Sequence, residues 1–244
     1  MSTVEQPLRL GVIGMDTSHV VAFADLLHDT SHRDHVEGAR IVAGYPGGSP
    51  DFEFSMSRVR RFAGEMQAKH PIQMVSEVEE LRDLCEAVLL LSIDGRRHLR
   101  EFRQIIGWEK PVFIDKPLAV SSDEARKIVE MAAENRVRVT TSSALRFSEA
   151  FQRTLRDEEG GAVTGGDFYG PLGFQDIAPG YFWYGIHTAE MLFATLGPGC
   201  CEVRAFRTPD HDVVVGCWKD GRLGTIRGSR TGASQFGGKI HRET

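Results

Sequence analysis

Leu8-Arg9-Leu10-Gly11-Val12-Ile13-Gly14-Met15-Asp16-Thr17-Ser18-His19 opens as a compact apolar run, ends it on a glycine and passes directly into helical spacing. Val20, Phe23, Ala24 and Leu27 then recur at the intervals of one helix face, from Ser18 to Leu27. A buried strand feeding a helix begins a βαβ unit, and the pattern repeats downstream. Arg40 to Tyr45 reads as a second strand, closed by the breaker Pro46-Gly47-Gly48. Ser55 to Lys69 is charged and amphipathic, Ile72 to Val75 a short strand, and Glu77 to Leu84 a short helix. Ala87 to Ile93 (AVLLLSI) is apolar at nearly every position, as befits a strand covered on both faces in a parallel sheet. Pro111 to Ile114 is another such strand. A helix then opens at Ser121 with Glu124 three residues on, a capping-box spacing, and offers Ala125, Ile128, Val129 and Ala132 as its buried stripe. Val137 to Thr141 supplies a sixth strand.

The texture changes after Arg146. Phe147 to Leu155 reads as a helix, glycines cluster from Gly160 to Gly173, and Ile186 to Leu196 is helical. Val203 to Phe206, Val213 to Trp218 and Leu223 to Arg227 then read as antiparallel strands, with Lys219-Asp220-Gly221 as a hairpin signal. The expected architecture is α/β: a Rossmann-type doubly wound parallel sheet over residues 1–145, then a smaller α+β domain over 146–244 with an open, mostly antiparallel sheet.

Composition narrows the function. The 244 residues, 41% apolar and 26% charged, are ordinary for a globular chain. A net charge of −5 gives no basic footprint for nucleic acid or an anionic membrane. No apolar run nears the ~20 residues of a membrane span, and the N-terminus lacks a signal-peptide pattern, so a cytoplasmic protein is expected. Cys85, Cys200, Cys201 and Cys217 follow no zinc spacing and read as free thiols; no metal site is expected.

The turn after the first strand is where a Rossmann fold cradles a pyrophosphate on a helix N-terminus. Of the G-x-G-x-x-G pattern only Gly14 is present, with Asp16 and His19 in the other glycine slots. Asp16 either repels a phosphate there or caps the helix, while Thr17, Ser18 and His19 offer hydroxyl, N–H and imidazole groups. A ribose-binding acid is wanted just after the second strand, yet none appears before Asp51. The neutral loop with Ser49 leaves NAD and NADP both open.

Glu109-Lys110-Pro111-Val112-Phe113-Ile114-Asp115-Lys116-Pro117-Leu118 is similar to the strand-E-K-P segment of the Gfo/Idh/MocA oxidoreductases, with Asp115 in place of the glutamate. Ser92-Ile93-Asp94-Gly95-Arg96-Arg97-His98 resembles that family's T-P-x-x-x-H stretch. The resemblance implies an NAD or NADP site drawn from Gly14, Asp16, Thr17, Ser18, His19, Ser92, Asp94, His98, Asp115 and Lys116. It also makes Lys116 a proton-handling residue, a role that suits a lysine at the carboxyl end of a parallel strand.

Further on, Gly185-Ile186-His187-Thr188-Ala189-Glu190 resembles the family's G-x-H-x-x-D helix start, which implies His187 as the second catalytic residue. Trp183 stands where the family has an aspartate. Trp183 and Tyr184 become candidate contacts for a carbohydrate-like substrate, with core packing as the other reading. Arg146 follows the sixth strand and either meets substrate or ties structure together. Family members usually have a longer second domain, and an open sheet favours pairing, so a homo-oligomer is expected.

These features point first to an NAD(P)-dependent oxidoreductase acting on a sugar, polyol or related hydroxy compound. Two other readings remain: a catalytically degenerate binding or regulatory protein on the same scaffold, and a lyase or glycosidase using bound NAD as a redox relay.

Overall fold

A computed structural model describes residues 6–232 and 235–244. Residues 1–5 of the N-terminal reading and Ser234 of the glycine-rich tail lie outside the described residues. The chain divides into two compact units, one running to Thr141 and the other beginning at Ser142.

In the first unit the strands are β1 (Leu8–Ile13), β2 (Ala39–Tyr45), β3 (Gln73–Met74), β4 (Ala87–Leu90), β5 (Val112–Asp115) and β6 (Val139–Ser142). They form a six-stranded sheet in the order β3-β2-β1-β4-β5-β6, and β1 pairs in parallel with both β2 and β4. The order reverses beside β1, so the carboxyl ends of β1 and β4 flank the switch point where such sheets bind ligands. The helices are α1 (His19–His28), α2 (Glu53–Lys69), α3 (His98–Ile105) and α4 (Ser122–Glu134).

Apolar residues of β1 serve both faces of the sheet. Ile13 packs with Leu81, Leu90, Phe102, Ile114 and Ile128, whereas Val12 packs with Val20, Ala24, Ile41, Phe62 and Met66. Burying each large side chain contributes roughly 1.5–3 kcal/mol relative to leaving it exposed. Two expectations need correction. The AVLLLSI strand leaves the ladder after Leu90, and residues 92–94 turn into the loop that carries the site. On α4, Ile128 and Ala132 make the buried contact, while Val129 is 56% exposed; the Ser121 cap forms as read, accepting from Glu124 N at 3.2 Å.

The second unit holds α5 (Glu149–Arg156), α6 (Gly185–Leu196) and the strands β7 (Val163–Pro171), β8 (Cys200–Arg207), β9 (His211–Trp218), β10 (Leu223–Ser229) and β11 (Gly237–Arg242). Their order is β11-β7-β10-β9-β8; β7 and β10 run parallel and the remaining neighbours antiparallel. The glycine cluster from Gly160 to Gly173, to which the sequence assigned no element, contains β7, and the glycine-rich segment after Phe236 contains β11. Glycine here is a packing device. A Cβ at Gly224 on β10 would lie 2.5 Å from Leu192 Cδ1, so its absence lets α6 settle onto the sheet.

All four cysteines are free thiols. No helix among the described residues is long and apolar enough to cross a membrane, and no group of three potential ligands among them could hold a metal ion.

Candidate active site

The turn between β1 and α1 is shaped by Gly14. Its φ is +89°, and a Cβ there would sit 2.4 Å from Ser92 N and 2.6 Å from Ser92 Oγ. Only glycine allows both the backbone angle and this approach of β1 to the end of β4. Ser92 is fully buried, and its Oγ meets no hydrogen-bond partner among the described residues.

Asp16 does not cap α1. It is fully buried, and its carboxylate accepts from Ser55 Oγ at 2.6 Å and from Ile93 N at 2.9 Å. Burial raises its pKa, against the pull of these two hydrogen bonds. Ser18 is the N-cap of α1, with no side-chain cap bond and no acid in the first turn. The first turn of α1 therefore carries no acid of its own and no side-chain cap, which suits an anionic phosphate at the positive end of the helix dipole. The feared repulsion is removed because the carboxylate is turned inward. Thr17, also buried, accepts from His19 N at 3.3 Å.

His19 joins this turn to β5: its Nδ1 lies 2.7 Å from Asp115 Oδ2. Asp115 also accepts from Lys116 N at 2.9 Å. Burial would raise the Asp115 carboxyl, but the His19 hydrogen bond and the nearby Lys116 charge hold it below its ordinary value. Lys116 shifts downward: burial disfavours its charge and Arg58 adds repulsion, outweighing Asp115. A half-buried lysine at the carboxyl end of a parallel strand, with its proton loosened, is suited to give and take a proton.

Two expected cofactor contacts have other partners. His98 is fully buried, with Nε2 2.7 Å from Ser92 O and Nδ1 2.9 Å from Pro117 O, so it staples the end of β4 to the segment after β5. Asp94 is also buried and is held by Arg96 and by Ser49 Oγ at 2.7 Å. Ser49 is buried as well, with its hydroxyl turned inward onto Asp94. In both cases a polar residue just beyond a strand end holds neighbouring chain, a distinction that spacing alone does not carry.

In the second unit, His187 on α6 is oriented by Ser143, whose Oγ lies 2.7 Å from Nδ1. Ser143 is fully buried, and its N donates to Glu190 Oε2 at 2.6 Å. Burial raises the Glu190 carboxyl. Arg146 Nη1 approaches Glu190 Oε1 at 3.9 Å, which favours its structural reading. Tyr184 and Phe236 stack at 6.4 Å, and both rings meet His187 edge-on, at 5.7 and 5.3 Å. Trp183 is only 9% exposed, so little of its ring is open to solvent. Sequence reasoning missed Ser143 and Phe236. The position of Ser143 directly after β6, opening the 3₁₀ turn Ala144–Phe147, was its only signal.

Residues 9–143 match a family described as an oxidoreductase family with an NAD-binding Rossmann fold, Gfo/Idh/MocA. No curated protein matches the chain. Several solved structures share the fold. One is GenD2 from gentamicin A biosynthesis in complex with NAD, at 19% identity, TM-score 0.72, covering 99% of this chain and 71% of that one. Another is apo scyllo-inositol dehydrogenase from Lactobacillus casei, at 12% identity, TM-score 0.76, covering 99% and 74%. A third is the UDP-N-acetylglucosamine 3-dehydrogenase GnnA from Acidithiobacillus ferrooxidans, at 16% identity, TM-score 0.71, covering 98% and 75%.

Proposed function

This chain belongs to the Gfo/Idh/MocA family of NAD(P)-dependent oxidoreductases, and on that premise we propose that it oxidises or reduces a sugar, polyol or related small hydroxy compound. The observation that carries the reading is Lys116, a half-buried lysine of lowered pKa directly after β5, at its carboxyl end. A bound NAD or NADP would supply the hydride acceptor or donor. The uncapped first turn of α1 would hold its pyrophosphate, and the polar end of β4 at Ser92 adds a further buried hydroxyl beside the turn.

Lys116 Nζ takes the hydroxyl proton as the alcohol is oxidised and restores it in the reverse direction. Asp115 is a positioning residue: through His19 it fixes the first turn of α1, and its charge tempers the loss of the lysine's proton. In the second unit we assign His187 a proton-handling role and Tyr184 a place against substrate, on the motif they occupy and on the Ser143 bond that orients the imidazole. Solved relatives in fold are named for inositol and for a nucleotide sugar, which supports a carbohydrate-like substrate. A homo-oligomer is proposed from the open sheet with β8 at its edge.

The experiment is a titration of the purified chain with NADH and NADPH, followed by a screen of sugars and polyols for coenzyme reduction. Binding and turnover with at least one hydroxy compound are expected. Absence of binding by either coenzyme at millimolar concentration overturns the proposal.

A further inference from the structure

The loop after β2 has no acid at the strand end, where a dinucleotide site usually finds its ribose acceptor. Asp51 stands further along that loop, 70% exposed at the side chain, and is held in a defined pose. Arg96 Nη1 donates to Asp51 Oδ2 and Nη2 to Oδ1, both at 3.0 Å. Arg96 in turn is gripped by buried Asp94, with Nε to Oδ1 at 2.9 Å and Nη2 to Oδ2 at 2.7 Å. Ser49, from the same loop as Asp51, donates to Asp94 at 2.7 Å. The loop after β2 is thus fastened twice to the loop after β4. It also borders the β1 turn, since a Cβ on Gly47 would lie 3.3 Å from Gly14 Cα.

A carboxylate offers about four acceptor lone pairs, and the Arg96 fork occupies two of Asp51's. Because the side chain is largely exposed, the others face solvent and suit a vicinal diol. We infer that Asp51, braced by Arg96, discriminates between the coenzymes: it accepts the adenosine ribose hydroxyls of NAD and excludes the 2′-phosphate of NADP. The inference rests on the oxidoreductase reading above and adds to it a residue and a coenzyme preference. Asp51, Arg96 and Asp94 together carry a net negative charge. A 2′-phosphate entering there must face the Asp51 carboxylate or draw Arg96 away from two carboxylates at once.

The test compares dissociation constants of NADH and NADPH, read by coenzyme fluorescence, for the wild-type chain and Asp51→Asn. The wild type is expected to prefer NADH by roughly tenfold or more, a difference of about 1.4 kcal/mol. Asp51→Asn removes the charge and loosens the hold on Arg96 Nη1, which can then meet a phosphate while Asp94 keeps Nε and Nη2, so the ratio should move at least tenfold towards NADPH. Melting curves of both proteins establish that the exposed substitution leaves the fold intact. If the wild type holds NADPH as tightly as NADH, or if Asp51→Asn leaves the ratio unchanged, the assignment of Asp51 is overturned while the oxidoreductase reading stands. Binding of neither coenzyme overturns both.

Discussion

Ser55 Oγ on α2 donates to Asp16 Oδ2 at 2.6 Å, so the acid that replaces a glycine of the phosphate turn binds protein. The Asp16 carboxyl is buried with a raised pKa. The sign of the linkage follows. As pH rises above the ordinary aspartate value of 3.8, the unfolded chain loses this proton before the folded chain does, and stability falls until the folded pKa is passed. Asp16→Asn cannot ionise. Its stability relative to wild type should therefore improve as pH is raised across that acid window, measured by denaturant titration at several pH values. A stability difference that stays flat with pH would show that Asp16 does not titrate differently on folding.

Lys116 should be needed for the chemical step. Lys116→Ala is expected to lower kcat by roughly 10²–10⁴-fold, the usual worth of general acid–base catalysis, with coenzyme still bound. Full turnover in this variant would remove the lysine from the mechanism.

The neighbours of Lys116 should move its titration in opposite directions. Asp115 favours the charged lysine and Arg58 disfavours it. In the direction of alcohol oxidation the neutral amine is the active form, so the rate climbs as pH passes the lysine pKa. Asp115→Asn should shift that rise to lower pH, and Arg58→Gln to higher pH. Shifts in the same direction for both variants would contradict the electrostatic account.

Ser143→Ala tests the orientation of His187. Loss of the 2.7 Å contact to Nδ1 should cost about tenfold in kcat, less than His187→Ala, with little change in KM. A His187→Ala variant as active as wild type would exclude the imidazole from catalysis.

Gly14→Ala should destabilise the chain by about 1–3 kcal/mol, because the new methyl group meets Ser92 backbone atoms at 2.4–2.6 Å and the φ of +89° strains it further. Thermal melting reads this directly.

Much of the first unit was legible because its signals are local. The apolar runs of β1, β4 and β5 and the capped start of α4 each declare their own structure within a few residues. The second unit was less so. β7 and β11 are rich in glycines that normally argue against strands, and only the close approach of α6 to Gly166 and Gly170, and of Phe168 to Gly238, explains their use. Within the candidate site, sequence could name polar residues beside the strand ends but not say which way they face. Asp16, Ser49, Asp94 and His98 all turn towards other chain segments, and partners such as Ser55, Ser92 and Pro117 lie far from them in sequence or carry no motif of their own. The Ser143–His187 contact spans two elements for the same reason.

The double grip of Arg96 makes the loops after β2 and β4 one mechanical part, with Asp94 as its anchor inside the protein. Drift at position 94 would slacken both loops together and blur the coenzyme choice inferred for Asp51, although Asp94 has its carboxylate spoken for by its own chain. A change that looks like ordinary interior variation would then act as a change of metabolic allegiance, tying the enzyme to a different pool of reducing power.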